Sequence, residues 1–229
     1  ETPNGTGYTK EYKVKIVRDR IGTAVWNATN SATNYNDWTT ATLMTTLNSG
    51  EYYNRTGTYA SNGLTDNAKN QISSTKWYLG NVVWTGVGYG TTKEIYQQER
   101  STSVHSGNKQ TWDGKVALIY PSDYMYASSA CYNDDTKKGY DRSGSSPYDT
   151  DYRSETCKST NWLLDTNWFW AVSPTSVSPS SAMYMFSSGY VSGTTAYYDP
   201  AGLRQSVYLD SSVKYIGGDG SKEKAFEIE

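Results

Sequence analysis

Residues 181–218 read SAMYMFSSGYVSGTTAYYDPAGLRQSVYLDSSVKYIGG, and this stretch decides the fold class. Four runs in it, 181–188, 190–198, 205–210 and 213–218, are rich in Val, Ile, Tyr or Thr and are broken by Gly, Pro or Ser, as short strands between turns are. Residues 78–84 (YLGNVVW), 93–99 (KEIYQQE) and 115–120 (KVALIY) read the same way. No strand–helix–strand alternation runs through this region, so an antiparallel arrangement is expected rather than a parallel sheet.

Upstream, residues 10–18 (KEYKVKIVR) place Tyr12, Val14 and Ile16 on one face and Lys13 and Lys15 on the other, the period of a half-buried strand. Asn36 or Asp37 can cap a helix over 37–48, with Trp38, Ala41, Met44 and Leu47 along one side. A second helix is expected over 65–74, where Leu64, Ala68 and Ile72 recur four apart. Residues 225–228 (AFEI) read as a closing strand, expected to lie antiparallel beside the strand at 11–18 because each has apolar residues on one face. Both termini would then sit opposite the aromatic loops. This order of paired terminal strands, two helices and a long loop-rich antiparallel β region resembles the layout of the C-type-lectin-like fold and its formylglycine-generating-enzyme-like relatives. The expectation is one α+β domain over 1–229, since no linker, repeat or charge block divides the chain.

Tyrosine outnumbers phenylalanine 22 to 3, and most of the 8 Trp also lie among Ser, Thr, Asn and Gly. Tyrosine can be half buried and still hydrogen-bond outward, so such stretches make adaptable contact surfaces. A net charge of −2, with Lys and Arg scattered, argues against a nucleic-acid partner. No apolar run approaches the roughly 18 to 20 residues that cross a bilayer, so membrane attachment is expected only through an anchor that the chain does not carry. Cys131 and Cys157 bracket the polar stretch 132–156. A disulfide closing such a loop stabilises by roughly 3.5 kcal/mol, and a bonded pair implies an oxidising compartment; the alternative is two separate buried thiols.

Catalysis is not expected. His105 is the only histidine and lies in a polar loop without a G-x-S-x-G elbow. Asp134, Asp135, Asp141, Asp149, Asp151 and Glu155 alternate with Lys137, Lys138, Arg142 and Arg153, which reads as a solvated face. A Ca²⁺ site at Asn133, Asp134 and Asp135 is the sharper alternative, without the glycine of an EF-hand loop; no other cofactor or metal is expected.

Trp170–Pro174 (WAVSP), the Ser/Tyr-rich pair of runs around Gly189, Gly202-Leu203-Arg204-Gln205-Ser206-Val207 and the turn at 217–221 together resemble an uncharacterised domain family of gut Firmicutes surface proteins. Its members read W-x-L-S-P and later G-V-R-P-V-x-x-L; Gln205 stands where they usually have proline. The resemblance implies a bacterial, extracellular or cell-surface location. Arg204, the one charge in its segment, is expected to pin the long loop to the sheet. The expected function is non-enzymatic recognition or adhesion toward an extracellular glycan or protein, through Trp168, Tyr184, Tyr190, Tyr197, Tyr198 and Asp199, with Trp162 to Trp170 too apolar to be wholly exposed. A homo-oligomeric, pilin-like filament subunit is the second expectation.

Overall fold

The structure, a computed structural model, describes residues 2–3, 8–9, 13–28, 35–83, 89–140, 151–197, 200–221 and 223–229, with backbone alone at 2–3, 8–9 and 89. Strands β1 (Thr2–Pro3), β2 (Tyr8–Thr9), β3 (Lys15–Val17) and β4 (Thr23–Ala24) come first, then helices α1 (Thr42–Asn48), α2 (Glu51–Asn54) and α3 (Asp66–Gln71). The middle holds β5 (Thr75–Tyr78), β6 (Tyr89–Thr91), α4 (Thr92–Glu99), β7 (Thr111–Gly114), β8 (Val116–Leu118), α5 (Pro121–Tyr126), β9 (Lys138–Tyr140) and α6 (Glu155–Ser159). Strands β10 (Phe169–Pro174), β11 (Ser181–Met185), β12 (Val191–Thr195), β13 (Ala201–Gly202), β14 (Gln205–Tyr208), β15 (Tyr215–Gly217) and β16 (Glu227–Ile228) complete it.

The result is a mixed α and β architecture with mostly antiparallel sheets. Among the described residues a five-stranded sheet runs β12-β11-β10-β13-β4 and a three-stranded sheet β3-β14-β8, beside four two-stranded ribbons. Only the β10–β13 pairing of these sheets is parallel. The β11–β12 hairpin keeps one register from Ser181↔Thr195 to Met185↔Val191. Its turn needs Gly189, at φ +102°, because a Cβ there would lie 2.5 Å from the Tyr152 carbonyl oxygen.

Strand β10 is buried along its whole length because apolar cores cover both faces of the sheet. Trp170 and Val172 face a first core with Trp26, Trp38, Leu43, Leu47 and Leu203. Phe169 and Ala171 face a second with Ile95, Tyr124, Met125, Met183 and Leu163. The alternation follows from the two-residue period of a strand. Large indoles can be buried here because their N–H groups find acceptors: Trp26 Nε1 donates to the Ala171 carbonyl and Trp170 Nε1 to that of Ala24, each at 2.9 Å.

The two expected helices are present and shorter. Asp37 caps a 3-10 turn at Trp38–Thr40 that leads into α1, and Thr65 caps α3 by accepting the Ala68 N–H at 3.1 Å. Residues 93–99, expected as a strand, are helix α4. The Thr91 hydroxyl accepts from Glu94 N at 3.4 Å and the Glu94 carboxylate from Thr91 N at 2.8 Å, a capping box that sets the helix start. Of 78–84, Tyr78 ends β5 and Val82 makes a single bridge to Thr175, while Trp84 lies outside the described residues.

The expected pairing of the terminal strands does not occur. Strand β3 pairs with β14, matching Val17, Ile16 and Lys15 to Ser206, Val207 and Tyr208, whereas β16 pairs with β15. Gly218 and Gly220, at φ +86° and +80°, turn the chain after β15 so that β15 and β16 pair locally, and closing that short loop costs less entropy than pairing across the whole chain. Ile16 and Val17 nevertheless face Ala225, Phe226 and Ile228 across one groove. Residues 10–12 of the expected first strand lie outside the described residues.

Cys131 and Cys157 form a disulfide with their Cα atoms 5.5 Å apart, both buried in the second core. The charged stretch that they bracket is not uniformly solvated, contrary to expectation. Asp151 is fully buried and receives Arg153 Nε at 2.9 Å, because Tyr152 between them enters the core and donates to the Met125 carbonyl at 3.0 Å. Asp141, Arg142 and Asp149 lie outside the described residues.

Candidate functional site

The start of β10 and the β11–β12 hairpin bring three of the expected binding residues together. Trp170, Tyr184 and Ser192 are cross-strand neighbours in register, and Trp168, one residue before β10, packs edge-on against both rings, 5.6 Å from Trp170 and 5.4 Å from Tyr184. Tyr184 continues to Tyr190 at 6.5 Å, and Tyr190 stacks on Phe186 at 5.0 Å and lies 4.8 Å from Tyr140. The Arg153 guanidinium lies over Tyr140 at 4.4 Å. These rings form a continuous aromatic strip, buried at Trp170 and half-buried at Trp168, Tyr184 and Tyr190. Burial, with Tyr184 beside it, holds the Tyr190 phenol above its ordinary range, so it stays a neutral donor.

Tyr197 stands elsewhere. It follows the far end of β12, roughly 20 Å along the strand from Tyr190, and packs on Tyr35 at 5.0 Å. Tyr198 and Asp199 lie outside the described residues. Trp162, grouped in sequence with a mostly buried run, is 70% exposed.

Trp168 also walls a cleft of about 420 Å³ with Arg20, Thr23, Asn167, Pro200 and Gly202. With its amide oxygen turned inward, Asn167 accepts from the Arg20 guanidinium at 2.6 and 3.2 Å, and Asp165 holds the same guanidinium at 3.7 Å. Gly202 makes room for Arg20: a Cβ there would lie 2.8 Å from Arg20 Cδ. An indole, an arginine and an amide lining one depression can stack on a ring and orient its polar substituents. Nothing in the sequence marks Arg20 and Thr23, for no local pattern ties them to a tryptophan so distant in the chain.

Arg204 lines a separate groove with Asp19, Tyr52 and Trp162, donating to the Leu163 carbonyl at 2.8 Å and to Asp19 at 2.9 Å. His105 Nε2 hydrogen-bonds with the Thr175 carbonyl oxygen at 2.8 Å. Asp134 folds onto its own turn, accepting Thr136 N at 2.8 Å and Thr136 Oγ1 at 2.6 Å. Among the described residues, no group of three or more His, Cys, Asp or Glu could hold a metal ion. No helix among them is long and apolar enough to cross a membrane.

A second titratable cluster sits at the end of α4. Glu99 is fully buried and accepts Ser122 N at 2.7 Å, Ser122 Oγ at 2.5 Å and Arg100 Nη1 at 3.2 Å. Burial pushes its carboxyl from an ordinary 4.5 up to about 7, with the Asp123 charge adding and Arg100 and Ser122 opposing. The unfolded chain ionises Glu99 at the lower value and the folded chain only at the higher one. Stability therefore falls as pH rises through that window, by on the order of 3 kcal/mol. In Glu99→Gln this loss should vanish, so urea midpoints compared at about pH 4 and 8 are expected to shift in the variant's favour at the higher pH.

No protein-family model, curated protein or solved structure matches the chain.

Proposed function

We propose that the chain is a non-enzymatic recognition domain, displayed on a bacterial surface or secreted, which binds an extracellular glycan or protein through the Trp168 cleft and the aromatic strip beside it. The observation that carries this reading is the convergence of Trp168, Arg20 and Asn167 on one depression. A rigid indole flanked by fixed polar groups is the lining that ring-shaped ligands and aromatic-anchored peptides use. The Cys131–Cys157 disulfide is consistent with an extracellular location, and the resemblance to surface-protein domains, strongest from Asn161 to the end of the chain, supports the same assignment. The C-type-lectin-like layout belongs to this proposal too, with β3 and the closing hairpin brought to one groove rather than paired. A glycan-array and pull-down survey of the folded domain tests it: one or a few related ligands retained at micromolar affinity support it, and silence across both sinks it.

A second reading has its own observation. Trp162, Tyr215, Ile216 and Phe226 are 70%, 64%, 56% and 59% exposed, and Trp162 and Phe226 border a largely apolar groove of about 690 Å³ that Ile16, Leu209 and Ile228 also line. Exposed aromatic surface of this kind favours contact between copies, as in a filament subunit. Sedimentation at rising concentration separates the two: growing assemblies favour the filament, a constant monomer the display module.

A further inference from the structure

We propose that Lys15 and Asp123 condense into an intramolecular amide cross-link, formed by the folded chain itself with Glu99 carrying the protons. The two residues are 108 positions apart, yet the fold seats the Lys15 ammonium directly on the Asp123 carboxylate. Lys15 reaches across the neighbouring strand, with Nζ 4.6 Å from the centroid of the Tyr120 ring, 5.4 Å from that of Trp77 and 5.6 Å from that of Tyr208. The side chains of the pair are only 16% and 25% exposed. Nucleophile and acyl carbon are thus held together in a largely apolar enclosure, which replaces a bimolecular encounter with a positioned, effectively unimolecular one.

Glu99 is hydrogen-bonded to both the backbone N–H and the hydroxyl of Ser122, the residue before Asp123. Its raised carboxyl can hold and release a proton near neutrality. The Tyr120 N–H donates to Asp123 Oδ2 at 2.8 Å; it polarises the carboxyl, and the amide product keeps a carbonyl oxygen to accept the same bond.

The step balances without an oxidant or co-reactant. The Lys15 ammonium gives up two protons and its nitrogen lone pair forms a bond to Asp123 Cγ. One Cγ–O bond breaks, and that oxygen leaves with the two protons as water. Glu99 relays them and ends as it began. The product ties β3 to α5 on the first core, whereas the disulfide secures the second, so that tension from the N-terminal side would meet a covalent bond.

Mass spectrometry of the intact chain is the test. The expected mass is one water below that of the disulfide-bonded sequence, and a reduced digest is expected to contain a branched peptide joining Lys15 to Asp123. Lys15→Ala, Asp123→Ala and Glu99→Gln are expected at their full masses. Asp123→Asn, losing ammonia instead, should reach the same final mass as the linked parent. The full unlinked mass for the parent chain overturns the proposal whatever the variants do, as does a water loss that maps to Asp123 alone as a cyclic imide. Complete linkage in Glu99→Gln overturns the assignment of proton transfer to Glu99.

Discussion

Trp170→Ala is expected to destabilise the protein by about 3–5 kcal/mol, the cost of deleting a large buried aromatic and leaving part of its cavity unfilled. Trp170 has no exposed surface, lies at the centre of the five-stranded sheet and touches both Trp168 and Tyr184 edge-on. Its loss also removes the donor that satisfies the Ala24 carbonyl, adding about 1 kcal/mol. Against a typical domain stability of about 5–15 kcal/mol, this is a large fraction. Urea denaturation followed by circular dichroism measures it, and Trp170→Phe, which keeps much of the volume, should cost less. A loss below about 1 kcal/mol would show that the indole is not packed as described.

Removing the disulfide is the second large effect. With both sulfurs in the second core and the intervening loop highly polar, replacing Cys131 and Cys157 by alanine is expected to cost about 2–5 kcal/mol. The folded parent should show no titratable thiol. The loosening is expected in the region between the cysteines and around α6, while the first core, with Trp26, Leu43 and Val207, keeps its protection from hydrogen exchange. Two titratable thiols in the unreduced protein would remove the argument for an oxidising compartment.

Much of the β structure was legible because β11, β12 and β14 are short runs with clear turn residues between them. Strand β10 was less so: Phe169–Pro174 is apolar on both faces and carries no alternation, and only its place between two cores explains it. Helix α4 is hard to read in the sequence because Ile95 and Tyr96 favour strands, although Thr91 and Glu94 spell a capping box and Thr92, Ile95 and Glu99 recur at helical spacing. The closing strand is legible in the sequence but its partner is not, since facing apolar residues do not reveal that two glycines make a nearer pairing cheaper. Of the site, the aromatic residues were readable from composition. Trp168 meets Arg20 in one cleft, and Lys15 meets Asp123 in an ion pair, through tertiary structure alone.

The most direct test of the recognition role is an isothermal titration of the strongest ligand from the survey into the parent domain and into Trp168→Ala, each first shown to be folded by its thermal melt. Binding is predicted to weaken at least about tenfold in the variant, a loss of about 1.4 kcal/mol or more. An unchanged affinity in a folded Trp168→Ala protein would contradict the assignment of the cleft as the binding site.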